Sequence, residues 1–191
     1  FINGWVVPAE PFAKFVGWWL AEGWIGKATS GNPGITYLCQ SERAGIQEID
    51  SFLREMGLTY TRSVYEKGEN KPVVYWSFRI PELTEWLVNN CGKGCENKFL
   101  SKEIMSWDKQ YLLLLIQGYL SGDGEKKERL ATKSSPTYMR SVGKIRGRFS
   151  TSSKELYNNL QQVCVQIGLR VMLRKPPKKS KPHHLNMYKG S

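Results

Sequence analysis

Two carboxylates in this 191-residue chain are spaced so that they would work together. Glu22 closes the run Phe15-Val-Gly-Trp-Trp-Leu-Ala-Glu-Gly23, and Asp123 closes Ile116-Gln-Gly-Tyr-Leu-Ser-Gly-Asp-Gly124. Both runs read glycine, two bulky residues, a variable one, a small one, an acid, then glycine. Gly17 and Ala21 are four apart, as are Gly118 and Gly122, so each pair shares a helix face. Small residues on one face let two helix backbones approach closely. Two helices paired this way would bring both acids to one end, near a pseudo-twofold axis. The helix C-terminus there is already partly negative and like charges repel, so two carboxylates need a cation. Hard divalent ions take carboxylate and carbonyl oxygens. Beside a basic surface, such a centre suits phosphodiester hydrolysis by metal-activated water. One acid before a glycine would be an ordinary helix end. Two in the same relative place carry the argument.

The elements that must hold these acids repeat as well. Ser41 to Met56 places Ile46, Ile49, Phe52, Leu53 and Met56 at helical spacing, followed by Gly57. Ser152 to Ile167 does the same with Leu156, Tyr157, Leu160, Val163, Cys164 and Ile167, followed by Gly168. Ser41 and Ser152 are the expected N-caps. Strand-like runs precede these helices (Ile35 to Cys39, Arg148 to Thr151) and follow them (Tyr60 to Tyr65, Leu169 to Arg174). A further helix is expected over Pro81 to Asn90. Each acid motif is expected to end in a left-handed glycine cap.

The charge is lopsided. Residues 1–125 carry 12 Lys/Arg against 15 Asp/Glu, a net of −3; residues 126–191 carry 16 against Glu128 and Glu155, a net of +14. Such a chain meets a polyanion. The bases fall in loop-like and strand-like stretches rather than on an amphipathic helix, which favours nucleic acid over a membrane surface. No apolar run approaches the ~20 residues of a membrane span. The N-terminal Phe1-Ile2-Asn3-Gly4 shows no secretory signal. The expected location is the cytoplasm or the nucleoid. Cys91 and Cys95 have a spacing that zinc could use, but there is no second pair. Cys39 and Cys164 read as small core residues.

At the two motifs the chain resembles the LAGLIDADG homing endonucleases, and within them the dodecapeptide type found as free enzymes or inserted in inteins. The resemblance runs from about residue 10 to the end. It implies an α+β fold of two pseudo-twofold-related αββαββα repeats, here residues 8–100 and 108–191, whose saddle-shaped antiparallel sheets sit over the DNA major groove. The second repeat ends before its last helix. The implied activity is site-specific double-strand cleavage of DNA at a long recognition site, with Mg²⁺ (or Mn²⁺), leaving short 3′ overhangs. Because one chain holds both motifs, the active form is a monomer.

The resemblance makes Glu22 and Asp123 the metal-binding catalytic acids. Lys98-Phe-Leu-Ser resembles the family's Lys-x-Ile-Pro segment, which makes Lys98 the catalytic lysine. Implied DNA contacts are Lys27, Arg62, Lys67, Lys71 and Arg79 in the first repeat. In the second they are Lys133, Arg140, Lys144, Arg146, Arg148, Arg174 and Lys175. Gln40 is a lesser candidate for supporting the metal-bound acids. The chain departs from the pattern in having Glu as its first acid, no Pro after Lys98 and no counterpart of Lys98 in the second repeat. It carries no splicing residues, so it reads at most as the endonuclease portion of an intein. The competing readings are a catalytically decayed or regulatory DNA-binding protein and an RNA maturase.

Overall fold

The computed structural model describes residues 6–27, 34–66, 71–123, 147–174 and 183–189. Lys67, Lys133, Arg140, Lys144, Arg146 and Lys175 lie outside them. The first half runs α1 (Ala9–Glu22), β1 (Gly23–Ile25), β2 (Thr36–Gln40), α2 (Arg43–Met56), β3 (Thr61–Tyr65), β4 (Val73–Phe78) and α3 (Pro81–Cys91). A 3-10 turn (Cys95–Asn97) and the short α4 (Lys102–Met105) lead into α5 (Lys109–Asp123). The second half continues with β5 (Gly147–Thr151), α6 (Lys154–Gln166), β6 (Leu169–Arg174) and β7 (His183–Lys189). This is an α+β fold with two antiparallel sheets, ordered β1-β2-β4-β3 and, among the described residues, β5-β7-β6.

The two halves meet through α1 and α5, and the small residues set the distance. A Cβ on Gly17 would run into the Leu115 carbonyl oxygen and lie 2.8 Å from the Tyr119 nitrogen. A Cβ on Gly118 would lie 2.6 Å from the Lys14 oxygen and 3.2 Å from the Trp18 nitrogen. Each glycine thus faces the residues three before and one after its counterpart, as a twofold exchange requires. The bulky neighbours turn to either side of this seam. Trp18 and Trp19 are fully buried. Their indole nitrogens find no hydrogen-bond partner among the described residues. Leaving such groups unpaired costs about 1–3 kcal/mol each, which the large apolar area of the rings offsets.

The amphipathic helices cover the sheets. α2 buries Ile49, Phe52, Leu53 and Met56, and α6 buries Leu156, Leu160, Val163 and Cys164. One apolar core runs from Phe12 through both halves to Leu169. α2 ends where Gly57 turns left-handed at φ 65°, and Gly168 does the same after α6 at φ 84°.

Three local expectations need correcting. The N-cap of α6 is Ser153, not Ser152, and its hydroxyl accepts from the Leu156 nitrogen at 3.1 Å. At α2 the serine is not used. The Gln40 side-chain oxygen accepts from the nitrogens of Ser41 and Glu42 at 2.8 and 2.9 Å. Gly23 is extended (φ −95°, ψ 152°) rather than left-handed, so α1 passes straight into β1. Glycine is needed there for space, because a Cβ would lie within 2.6 Å of the Trp19 carbonyl oxygen and strike the Trp19 ring.

Candidate active site

Glu22 is the last residue of α1 and Asp123 the last of α5. The helix pair brings these ends together. A Cβ on Gly122 would lie 2.5 Å from the Ala21 Cβ and 3.1 Å from the Glu22 Cγ. The backbone one residue before Asp123 therefore touches the Glu22 side chain, which is itself half-buried.

Lys98 enters the same place from the segment that joins the halves. Its Nζ donates to the carbonyls of Trp19 (3.0 Å), Leu20 (2.8 Å) and Gly23 (2.8 Å). It also lies 4.8 Å from the centre of the Trp19 ring. The residue is 6% exposed. The last carbonyls of a helix have no partner within the helix, and a cation there meets the negative end of the dipole. Lys98 thus caps α1 with its ammonium. Its backbone carbonyl accepts the Ser153 hydroxyl at 2.5 Å, and the Leu100 nitrogen donates to Asn159 Oδ1 at 2.9 Å. One residue ties the end of α1 to the start of α6. The motif brings Lys98 to the acid, yet the donors point at protein carbonyls rather than out to a phosphate.

Cys39 belongs to this site and not to the core. It is half-buried on β2, and its Sγ lies 3.9 Å from the Glu22 carbonyl oxygen. Its thiol pKa is pushed up to about 11, mainly by burial and further by the Glu22 charge. Sequence reasoning missed this because strand alternation does not say which side a helix covers. Gln40 commits its oxygen to the α2 N-terminus and packs beneath Trp18 and Gly45.

The Glu22 carboxylate is an oxygen ligand of the kind a hard divalent cation takes, while the helix-end carbonyls of Trp19, Leu20 and Gly23 are committed to Lys98. Among the described residues no three His, Cys, Asp or Glu converge on one point. A cation there would complete its shell with water and substrate oxygens.

Pairing register sorts the remaining candidates by face. On the first sheet, Thr36, Leu38, Val74, Trp76 and Phe78 are buried, so Trp24, Tyr37, Cys39, Tyr75 and Ser77 form the open face, continued on β3 by Thr61, Ser63 and Tyr65. Arg62 has the opposite parity. It faces the helix layer, 3.3 Å from Asp50 and 5.9 Å from the centre of the Trp76 ring. Asp50 also accepts from the Trp76 indole at 2.8 Å. Lys71 is exposed and paired with Glu42 at 2.7 Å. Lys27 and Arg79 are exposed just beyond β1 and β4. On the second sheet Thr151 and Leu169 are buried and Arg170 is exposed, and the pairing register gives positions 148, 170, 174, 184, 186 and 188 the strand parity opposite to that of Thr151 and Leu169. Arg170, exposed on β6, escaped the sequence reading, although its even, four-residue offset from Arg174 would have found it.

No protein-family model matches the chain. MJ1054 of Methanocaldococcus jannaschii is 22% identical over 171 residues, which are 87% of this chain and 18% of that protein. A DNA polymerase of Thermococcus kodakarensis is 27% identical over 131 residues, 65% of this chain and 7% of the polymerase. The chain therefore spans less than a fifth of either curated relative. Among solved structures, I-DmoI in complex with DNA and Mn superposes with a TM-score of 0.61 at 13% identity, over 94% of this chain and 89% of that one. The homing endonuclease I-WcaI on its DNA recognition sequence gives 0.55 at 13%, over 98% and 79%. The N-terminal LAGLIDADG domain of WhiA gives 0.52 at 8%, over 100% and 81%.

The fold is that of the LAGLIDADG homing endonucleases, over nearly the whole chain. The two acid-bearing runs occupy the paired helices that define the fold.

Proposed function

We propose that the chain is a site-specific DNA endonuclease that cuts both strands of a long duplex target with a divalent metal and leaves short 3′ overhangs. The observation that carries this is the convergence of Glu22 and the end of α5 at the seam between the two halves. In this reading Glu22 and Asp123 hold Mg²⁺ or Mn²⁺, one carboxylate from each half. When bound, the metal lowers the pKa of water and stabilises charge on the scissile phosphate. The protein's share is positional. The glycine seam fixes the separation of the helix ends, and Lys98 holds the α1 terminus that carries Glu22. Its positive charge also lessens the repulsion an incoming phosphate would meet there.

That I-DmoI has been solved with DNA together with Mn or Ca supports a divalent metal in this reading. The bound form is a monomer, since one chain supplies both motifs. Lys27 and Arg79 would touch phosphates at the rim of the first sheet, and Arg148, Arg170 and Arg174 would meet the DNA across the second. Lys67, Lys133, Arg140, Lys144, Arg146 and Lys175 remain DNA contacts on the sequence argument alone. Similarity to short segments of much longer relatives supports an element carried inside a host protein, as in an intein. That the Lys98 ammonium is spent on protein carbonyls favours a second reading, a DNA-binding regulator that does not cut.

The test is incubation with a library of long random duplexes in Mg²⁺, followed by sequencing of any new ends. Discrete double-strand ends with 3′ overhangs support the endonuclease. Sequence-specific retention of duplex without new ends supports the regulator.

A further inference from the structure

The open faces of the two sheets differ in kind. On the first, the open-face positions of β1 to β4 carry aromatic, hydroxyl, thiol and aliphatic side chains and no Lys, Arg, Asp or Glu. Its centre is an aromatic cluster. Trp24, 37% exposed, stacks on Tyr37 with ring centres 5.0 Å apart and planes at 8°. Tyr75 meets Trp24 edge-on at 6.0 Å. Among the described residues, Lys27 and Arg79 sit just beyond the strand ends and Arg62 is paired away from the face with Asp50. On the second sheet the register gives three arginines, Arg148, Arg170 and Arg174, the same strand parity.

We infer that the two sheets read their half-sites by different chemistry, the first by apolar contact with thymine methyl groups and the second by arginine. This rests on the duplex-DNA reading above and goes beyond it in naming what each half recognises. An uncharged face gains nothing from counterion release, and the apolar ring faces of the aromatic cluster offer phosphate nothing, so what that cluster contributes comes from base edges. The C5-methyl of thymine is the apolar group that base pairs offer in the major groove. The Trp24–Tyr37–Tyr75 surface is rigid, because its rings already support one another, and it presents that group with a preformed apolar partner. Arginine on the second sheet pairs with guanine O6 and N7. The target is therefore asymmetric, with thymines clustered in one half-site and guanines in the other.

The experiment uses the whole chain and the duplex it selects from a random library in Ca²⁺. Thymines are replaced by deoxyuridine, which lacks only the methyl, one half-site at a time. Binding should weaken in one half-site only, by about four-fold for each contacted methyl. Trp24→Ala should remove that sensitivity and leave the salt dependence unchanged. Arg170→Ala should keep the sensitivity and relax the preference for guanine in the other half-site. Equal binding of thymine and deoxyuridine duplexes in both half-sites overturns the inference while leaving the duplex reading intact. Selection of no duplex, or tighter binding to single strands, overturns both. The deoxyuridine comparison needs no variant, so a folding defect in Trp24→Ala cannot mask the result.

Discussion

Gly122 lies so close to Glu22 that a methyl group on its Cα would stand 3.1 Å from the Glu22 Cγ. The distance between the two catalytic candidates is thus built into the helix seam rather than left to flexible side chains. Four positions of small residues, two on each helix, bring the backbones together. The acids follow at the next residue on each helix of the pair.

Filling that seam should cost stability. Gly17→Ala places a methyl against the Leu115 carbonyl and the Tyr119 nitrogen, both backbone atoms that cannot step aside. Overpacking of this kind costs about 3 kcal/mol and outweighs the gain of roughly 1 kcal/mol from replacing glycine inside a helix. A net loss of ~2 kcal/mol lowers the melting temperature by about 4–8 °C in a chain of this size. Gly118→Ala should behave alike, since its surroundings are the twofold image. Thermal unfolding followed by circular dichroism checks both, and an unchanged melting temperature for either variant would argue against the close seam.

Lys98 should behave as part of the scaffold. Lys98→Met removes three bonds to the carbonyls at the end of α1 and leaves those acceptors buried. The expected loss is about 3–5 kcal/mol. Lys98→Arg should rescue little of it, because a planar guanidinium cannot place one nitrogen among three carbonyls. Urea unfolding measures both. A lysine that served only to polarise the phosphate would leave unfolding untouched and abolish cleavage alone.

The buried thiols set an alkaline limit. Burial raises Cys39 to about 11 and Cys164 to about 12, from an ordinary value of 9.0, and it pushes Cys91 higher still. Above pH 9 the unfolded chain loses these protons first, so the folded state binds more of them. Stability is then full below about pH 9 and falls as pH rises toward the folded-state values. Melting temperatures between pH 8 and 11 should show the decline, and Cys164→Val should make it shallower. Glu22→Gln should also lower the Cys39 pKa, because it removes a negative neighbour. The pH dependence of Cys39 alkylation reports that shift without any need for cleavage.

Much of this was legible in the sequence, and the reason is physical. A helix interface that needs glycine, and an acid at a fixed step after it, leave a pattern that survives in the residues themselves. β6 falls on the expected residues 169–174, and α3 and the two amphipathic helices end within two residues of expectation. What escaped depends on three-dimensional partners. Arg62 and Tyr65 lie on one strand, but only the register against β4 shows that Arg62 faces the helices. Cys39 looks apolar and regular, yet its parity puts it beside Glu22. Lys98 was recognisable by its neighbours in sequence, while the direction of its ammonium follows from the course of α1. Ser41 has the chemistry of a cap, but Gln40 reaches the same nitrogens one residue earlier.

The central claim is that Glu22 and Asp123 form one hydrolytic centre, and the most direct measurement separates cutting from binding at a selected site. Glu22→Gln and Asp123→Asn should each slow cleavage in Mg²⁺ by at least about 100-fold. Binding of the same duplex in Ca²⁺ should stay within a few-fold of the unmodified protein. Cleavage that survives either substitution at its full rate would contradict the account.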